Sequence, residues 1–138
     1  MLLVLDSNEY VFALGAITDI DCEKLLTKVA ESTEAVSIRI TRLIIEEVRN
    51  NLTTEAFKEF ILFINSVTKI DEDFEIPFEI GAKYESKGLK SSDAFIAAYT
   101  EWAGADALVT ENRHFLTRHA NLPFKILTAE QCIKFLNK

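Results

Sequence analysis

The sequence predicts an α/β fold in which a mainly parallel sheet is sandwiched between helices. Three observations carry this expectation. Short apolar runs alternate with helical patterns along the whole chain, as repeated βαβ units require. The first run, Met1 to Leu5, has no polar interruption, which suits a strand covered on both faces. The stretch AFIAAYTEWA, residues 94–103, is apolar on nearly every side, so its helix belongs in the interior.

Each element follows from local pattern. Asp6 closes the first strand; Ser7, Asn8 and Glu9 start a helix that Gly15 stops. Asp19 to Ala30 is amphipathic at helical spacing, and AVSIR, residues 35–39, reads as a second strand. A helix is expected from Thr41 to about Leu52 and another from Thr53 to Asn65, followed by a third strand at VTKI and an acidic loop at DEDFE. Pro77 opens a short helix that Gly88 ends. Ser91 and Ser92 then stand at the start of the helix that carries Asp93. After Gly104, ADALV is a strand that delivers Thr110, Glu111, Asn112, Arg113 and His114 to its carboxyl end. NLPFKIL supplies a last strand, and Thr128 caps a closing helix.

Composition narrows the function. The chain has 138 residues, 49% of them hydrophobic, which fits one domain over residues 1–138. Cys22 and Cys132 lack metal-ligand spacing, so free thiols in a reducing cytoplasm are expected and a zinc site is not. The start MLLVLDSN is too short in apolar residues for a signal peptide, and no run approaches a membrane span. A net charge of -7 disfavours broad nonspecific nucleic-acid binding, because such affinity comes from Lys and Arg. The ten phenylalanines and Trp102 fall at helical spacings and are read as core.

Four oxygen-bearing groups are expected at one edge: Asp6 after a strand, Glu47 on a helix flank, Asp93 at a helix start, and Asn112 past another strand. Helical rotation selects Glu47 over Glu46. Ile40, Leu43, Ile44, Val48 and Leu52 form the apolar stripe, Glu47 lies at its flank, and Glu46 points away beside Arg42. Three acids and an amide are hard ligands of the kind Mg²⁺ and Mn²⁺ prefer, with phosphate and water completing the shell. Taken singly, Asp6 is a helix cap, Asp93 a charge on a helix dipole and Glu47 a surface acid. Their shared edge is what points to metal-assisted phosphodiester hydrolysis.

These residues resemble the PIN-domain nucleases, which include toxin ribonucleases of the VapBC toxin-antitoxin kind. The resemblance rests on LLVLDSN, EEV, SSDAFIAAY and ALVTENRHF, in that order and across nearly the whole chain. It implies a three-layer α/β/α sandwich with a five-stranded sheet and cleavage of RNA by an acidic pocket with Mg²⁺ or Mn²⁺. Asp6, Glu47 and Asp93 take the family's catalytic, metal-binding places, and Asn112 stands where many members have a fourth acid. Asn8, Thr110 and Arg113 are expected to face substrate. The resemblance further implies a homodimer and, for a toxin, an antitoxin partner.

Basic residues near the motif, Lys87, Lys90, Arg113, His114, Arg118 and His119, could guide a phosphate backbone, although Arg118 and His119 also suit a solvated helix face. Two rival readings stand beside the ribonuclease. One is a non-cutting module that binds RNA or protein, which Asn112 and the net charge favour. The other is a phosphomonoesterase with an acid after the first strand; the haloacid dehalogenase kind needs an Asp where this chain has Asn8.

Overall fold

The computed structural model describes residues 1–32, 34–116 and 121–137. Its chain order is β1 (Leu2–Leu5), α1 (Ser7–Leu14), α2 (Ile20–Glu31), β2 (Ser37–Thr41), α3 (Arg42–Arg49), α4 (Thr54–Val67), β3 (Ile70–Asp71), a 3-10 turn (Asp73–Glu75), α5 (Phe78–Ser86), α6 (Ser91–Trp102), β4 (Ala107–Val109), α7 (Arg113–Leu116), β5 (Lys125–Leu127) and α8 (Ala129–Leu136). The five strands form one sheet in the order β3-β2-β1-β4-β5, and every neighbouring pair is parallel. Helices pack on both faces, giving the expected three-layer α/β/α sandwich.

β1 is the middle strand, and its residues Leu3, Val4 and Leu5 are fully buried. That explains the uninterrupted apolar run, since neither face of this strand meets water. The chain order reverses beside β1, with β2 on one side and β4 on the other. In open parallel sheets, this is where a crevice forms outside the carboxyl ends of the strands. α6 is the interior helix, with Ala94, Ile96, Ala97, Ala98, Tyr99 and Thr100 all buried. Gly104, at φ +69, turns the chain from α6 toward β4 in a backbone region that side chains disfavour.

Several boundaries differ from expectation for identifiable reasons. β2 runs to Thr41, two residues beyond AVSIR, because Ile40 and Thr41 pair with Ile70 and Asp71 of β3. α4 runs through Val67, taking the start of VTKI and leaving β3 only two residues long. The serine pair does not cap α6. Its N-cap is Lys90 without a side-chain bond, and the Ser91 hydroxyl reaches Glu85 Oε1 at 3.5 Å. The short helix α7 was not expected from sequence.

The acidic stretch 71–75 is tied to the fold at three points. Asp71 accepts two bonds of 2.9 Å from the Arg39 guanidinium and one of 2.5 Å from Tyr99. Burial works against this carboxylate's charge, but Arg39 and Tyr99 outweigh it and hold its pKa below the ordinary range. Glu72 pairs with Arg42 at 2.6 Å. Asp73 accepts from the Thr41 hydroxyl and from Leu43 N, the latter at 3.0 Å. Thr41 makes no side-chain cap of its own, so Asp73 caps α3 from thirty residues away.

Asp73→Ala is expected to cost about 1 kcal/mol of stability, the usual magnitude for a lost helix cap. Urea unfolding measures it; an unchanged midpoint would show that the cap contributes nothing.

Candidate acidic site at the carboxyl edge of the sheet

Parallel register sets Asp6 and Thr110 side by side. Leu5 pairs with Val109, and Asp6 N donates to Val109 O at 2.9 Å, while Thr110 N donates to Leu127 O at 2.9 Å. The Asp6 side chain is 5% exposed. Its Oδ1 accepts from Ser7 N at 2.8 Å, which makes it the cap of α1, and its Oδ2 accepts from the Thr110 hydroxyl at 2.7 Å. Burial raises the Asp6 pKa above the ordinary carboxylate value, Asp93 adds to the rise, and the bonds from Thr110 and Ser7 oppose it.

α3 turns Glu47 inward and leaves Glu46 in solvent, where it meets Arg49 at 3.8 Å and its charge also acts on Arg42. Glu47 is half-buried, and its Oε1 is buried without a hydrogen-bond partner. Its pKa is raised to about 7, first by burial and then by the charges of Asp6 and Asp93, against a hydrogen bond from Ser7. Asp93 stands in the first turn of α6 and is partly buried. The three acids therefore feel one another across three separate elements. The ion pairs of Arg39, Arg42, Arg49, Lys83 and Lys134 are all made to other acids. Asn8 follows Asp6 by two residues on α1, and its Oδ1 is a second buried oxygen without a partner.

The remaining expected residues divide. Thr110 is fully buried, and its oxygen also accepts from Asn112 N at 3.0 Å, so its hydroxyl orients Asp6. Asn112 turns its Oδ1 onto His114 N at 3.0 Å and so starts α7, leaving one lone pair of that oxygen for other use. Arg113 and His114 are exposed on α7. His114 lines a cleft of about 130 Å³ together with Gly88, Leu89, Lys90 and Asp93. Arg118 and His119 lie outside the described residues.

A second cluster lies behind this edge and was not foreseen. Glu9 is fully buried; its Oε2 accepts from the Cys22 thiol at 2.9 Å, no described group donates to its Oε1, and its carboxyl meets that of Glu111 in hydrogen-bond contact. Glu111 extends from the loop after β4, and its Oε2 accepts from Ala129 N at 3.1 Å, the first residue of α8. Among the described residues, Glu9, Cys22 and Glu111 are the one trio of His, Cys, Asp and Glu whose ligand atoms all lie within 4.8 Å of one another. Asp6, Glu47 and Asp93 thus form a more open group. Burial, then the approach of Glu111, raises the Glu9 pKa to about 10; burial and Glu9 push the Cys22 thiol up as well. The sequence did hold one signal: Glu9 is an acid three residues after Asp6, on the same face of α1 as the buried end of that helix.

No family model matches the chain, and no curated protein matches it. Solved structures do. VapBC2 from Rickettsia felis, solved bound to a DNA fragment from their promoter, matches with a TM-score of 0.64 and 20% identity over 93% of this chain and 98% of that one. FitAcB from Neisseria gonorrhoeae matches with a TM-score of 0.63 and 14% identity over the same shares. These likenesses establish the fold over nearly the whole chain.

In metal-free protein, Glu9→Gln is expected to be stabilising at pH 7. Between the ordinary value of 4.5 and about 10, the folded chain holds a Glu9 proton that the unfolded chain has released. Stability therefore falls as pH rises through that window, by roughly 3 kcal/mol at pH 7, and Gln escapes this loss. Denaturant unfolding of both proteins with EDTA at pH 4 and pH 7 measures the difference, which should vanish at the lower pH; an equal gap at both would contradict a protonated Glu9.

Proposed function

We propose that the chain is a divalent-metal-dependent ribonuclease in which Asp6, Glu47 and Asp93 are the catalytic metal-binding acids and Mg²⁺ or Mn²⁺ is the cation. The observation that supports this most is Glu47 Oε1, a buried oxygen without a hydrogen-bond partner on a side chain that feels the repelling charges of Asp6 and Asp93. Buried acceptors without donors are costly, and a cation is the group that would satisfy them. The open spacing of the acids suits Mg²⁺ or Mn²⁺, which retain water in their shells. A bound ion of this kind supplies an acidified water and stabilises charge gathering on the phosphate.

The chain's own residues do the rest. Thr110 and Ser7 fix both oxygens of Asp6, so its direction is set before substrate arrives. Asp73 holds the start of α3 and with it the helix that presents Glu47. Lys90 and His114 flank Asp93 in the cleft, with Arg113 beside them, and offer local positive charge to a phosphate backbone on an acidic protein. Asn112 contributes through its remaining lone pair or a held water. The fold shared with VapBC2 and FitAcB supports the further reading of a toxin that acts in the cytoplasm, forms a homodimer and is held in check by an antitoxin.

Incubation with a mixed RNA pool and Mn²⁺ tests the reading. Asp6→Asn and Asp93→Asn should each lower cleavage by about a hundredfold or more, and Glu47→Gln should impair it far more than Glu46→Gln. Cleavage that persists in Asp6→Asn, or equal effects at Glu46 and Glu47, would overturn the assignment.

The site should also respond to pH. Without metal, the Glu47 carboxyl resonance is expected to titrate near 7. Since burial and like charge disfavour the ionised form, Mn²⁺ or Mg²⁺ should move that midpoint downward. Carbon NMR of labelled Glu with diamagnetic Mg²⁺ reads both; a midpoint unmoved by saturating Mg²⁺ would place the ion elsewhere.

A further inference from the structure

Glu9, Cys22 and Glu111 come from α1, from the first turn of α2 and from the loop after β4, and they converge in the interior behind the acidic edge. We propose that these three side chains form a buried zinc site, separate from the Asp6, Glu47 and Asp93 group. The inference goes beyond the nuclease reading and does not depend on it.

Two independent observations point to a ligand. The ligand atoms of all three residues lie within 4.8 Å of one another, and the Cys22 Sγ to Glu9 Oε2 separation is already 2.9 Å. Bonds of about 2.0–2.3 Å to a tetrahedral zinc place ligand atoms roughly 3.5 Å apart, so small side-chain rotations close the set. The second observation is Glu9 Oε1, a buried oxygen on a fully buried side chain to which no described group donates; beyond the Cys22 thiol, the Glu9 carboxyl meets only that of Glu111, a contact that needs a shared proton or a cation. A native interior rarely leaves such an atom unsatisfied.

The donor chemistry selects the metal. A thiolate beside two carboxylates is a poor home for Mg²⁺ or Mn²⁺, which favour oxygen alone, and a good one for a borderline cation such as Zn²⁺. The protons of the Cys22 thiol and of the Glu9 carboxyl both leave to solvent as the metal enters. Glu111 is only partly buried and is the member of the set nearest solvent. The amide of Ala129 at the start of α8 already holds the other side of Glu111, and so orients it toward the cluster. An ion here would tie the loop containing Thr110 and Asn112 to α1 and α2, and so brace the partner of Asp6.

Cobalt(II), a spectroscopic stand-in for zinc, tests the proposal on the full chain. With Mg²⁺ present to fill the acidic edge, wild-type protein should take up Co²⁺ with a sulfur-to-metal charge-transfer band that Zn²⁺ abolishes. Cys22→Ser should lose the band, Glu9→Gln should weaken the binding that the band reports by about tenfold or more, and Cys132→Ser should leave both unchanged. Circular dichroism checks that each variant folds; should Cys22→Ser not fold, Glu9→Gln decides through affinity and through loss of the rise in Tm that Zn²⁺ gives the wild type. No band in the wild type, or a band that survives Cys22→Ser or disappears only in Cys132→Ser, would overturn the site and leave a proton shared between Glu9 and Glu111 as the occupant.

Discussion

Asp6 ends the middle strand of the sheet at 5% exposure, and a charge in such a place costs several kcal/mol unless donors surround it. The fold answers part of that demand with a backbone amide from its own helix and a hydroxyl from the neighbouring strand's end, and burial still leaves the Asp6 pKa raised. The second donor depends on register: shift β4 by one residue against β1 and Thr110 leaves Asp6. Sheet pairing, the entry into α1 and the orientation of the first acid are thus one constraint seen from three directions.

The same logic of distant support recurs around the site. Glu47 is presented by a short helix whose own N-cap residue makes no side-chain bond, and whose orphan amide at Leu43 is satisfied by Asp73 from the far side of β3. Asp71, two residues earlier, is bound to Arg39 of β2 and to Tyr99 of the interior helix α6. An acidic stretch that reads as a solvent loop therefore holds β2, β3, α3 and α6 together. Placing its carboxylates on guanidinium, phenol and amide donors keeps their charge away from Asp6, Glu47 and Asp93.

Two acidic clusters with opposite characters result. At the edge, Asp6, Glu47 and Asp93 are spread apart beside a cleft, and their mutual repulsion shows in the raised pKa of Glu47. Behind it, Glu9, Cys22 and Glu111 are close together and largely closed from water. Open, oxygen-only acids favour hydrated hard cations, whereas a closed set with a thiol favours a borderline one.

The sequence by itself determined the layer order and most of the edge. Alternating apolar periods specify strands and helices, the unbroken run at Met1 to Leu5 marks a central strand, and helical rotation separates Glu47 from Glu46, because these are properties of local geometry. It could not decide which polar atoms would meet. The cap that Asp73 gives α3, the turn of Asn112 onto His114, the burial of Thr110 against Asp6 and the meeting of Glu9 with Cys22 and Glu111 all join residues that are remote in sequence or turn on the course of an irregular loop. Cysteine spacing gave no hint of a ligand set, since spacing reports only ligands on one local element. Those partnerships are fixed by strand register and helix packing, which only the tertiary structure supplies.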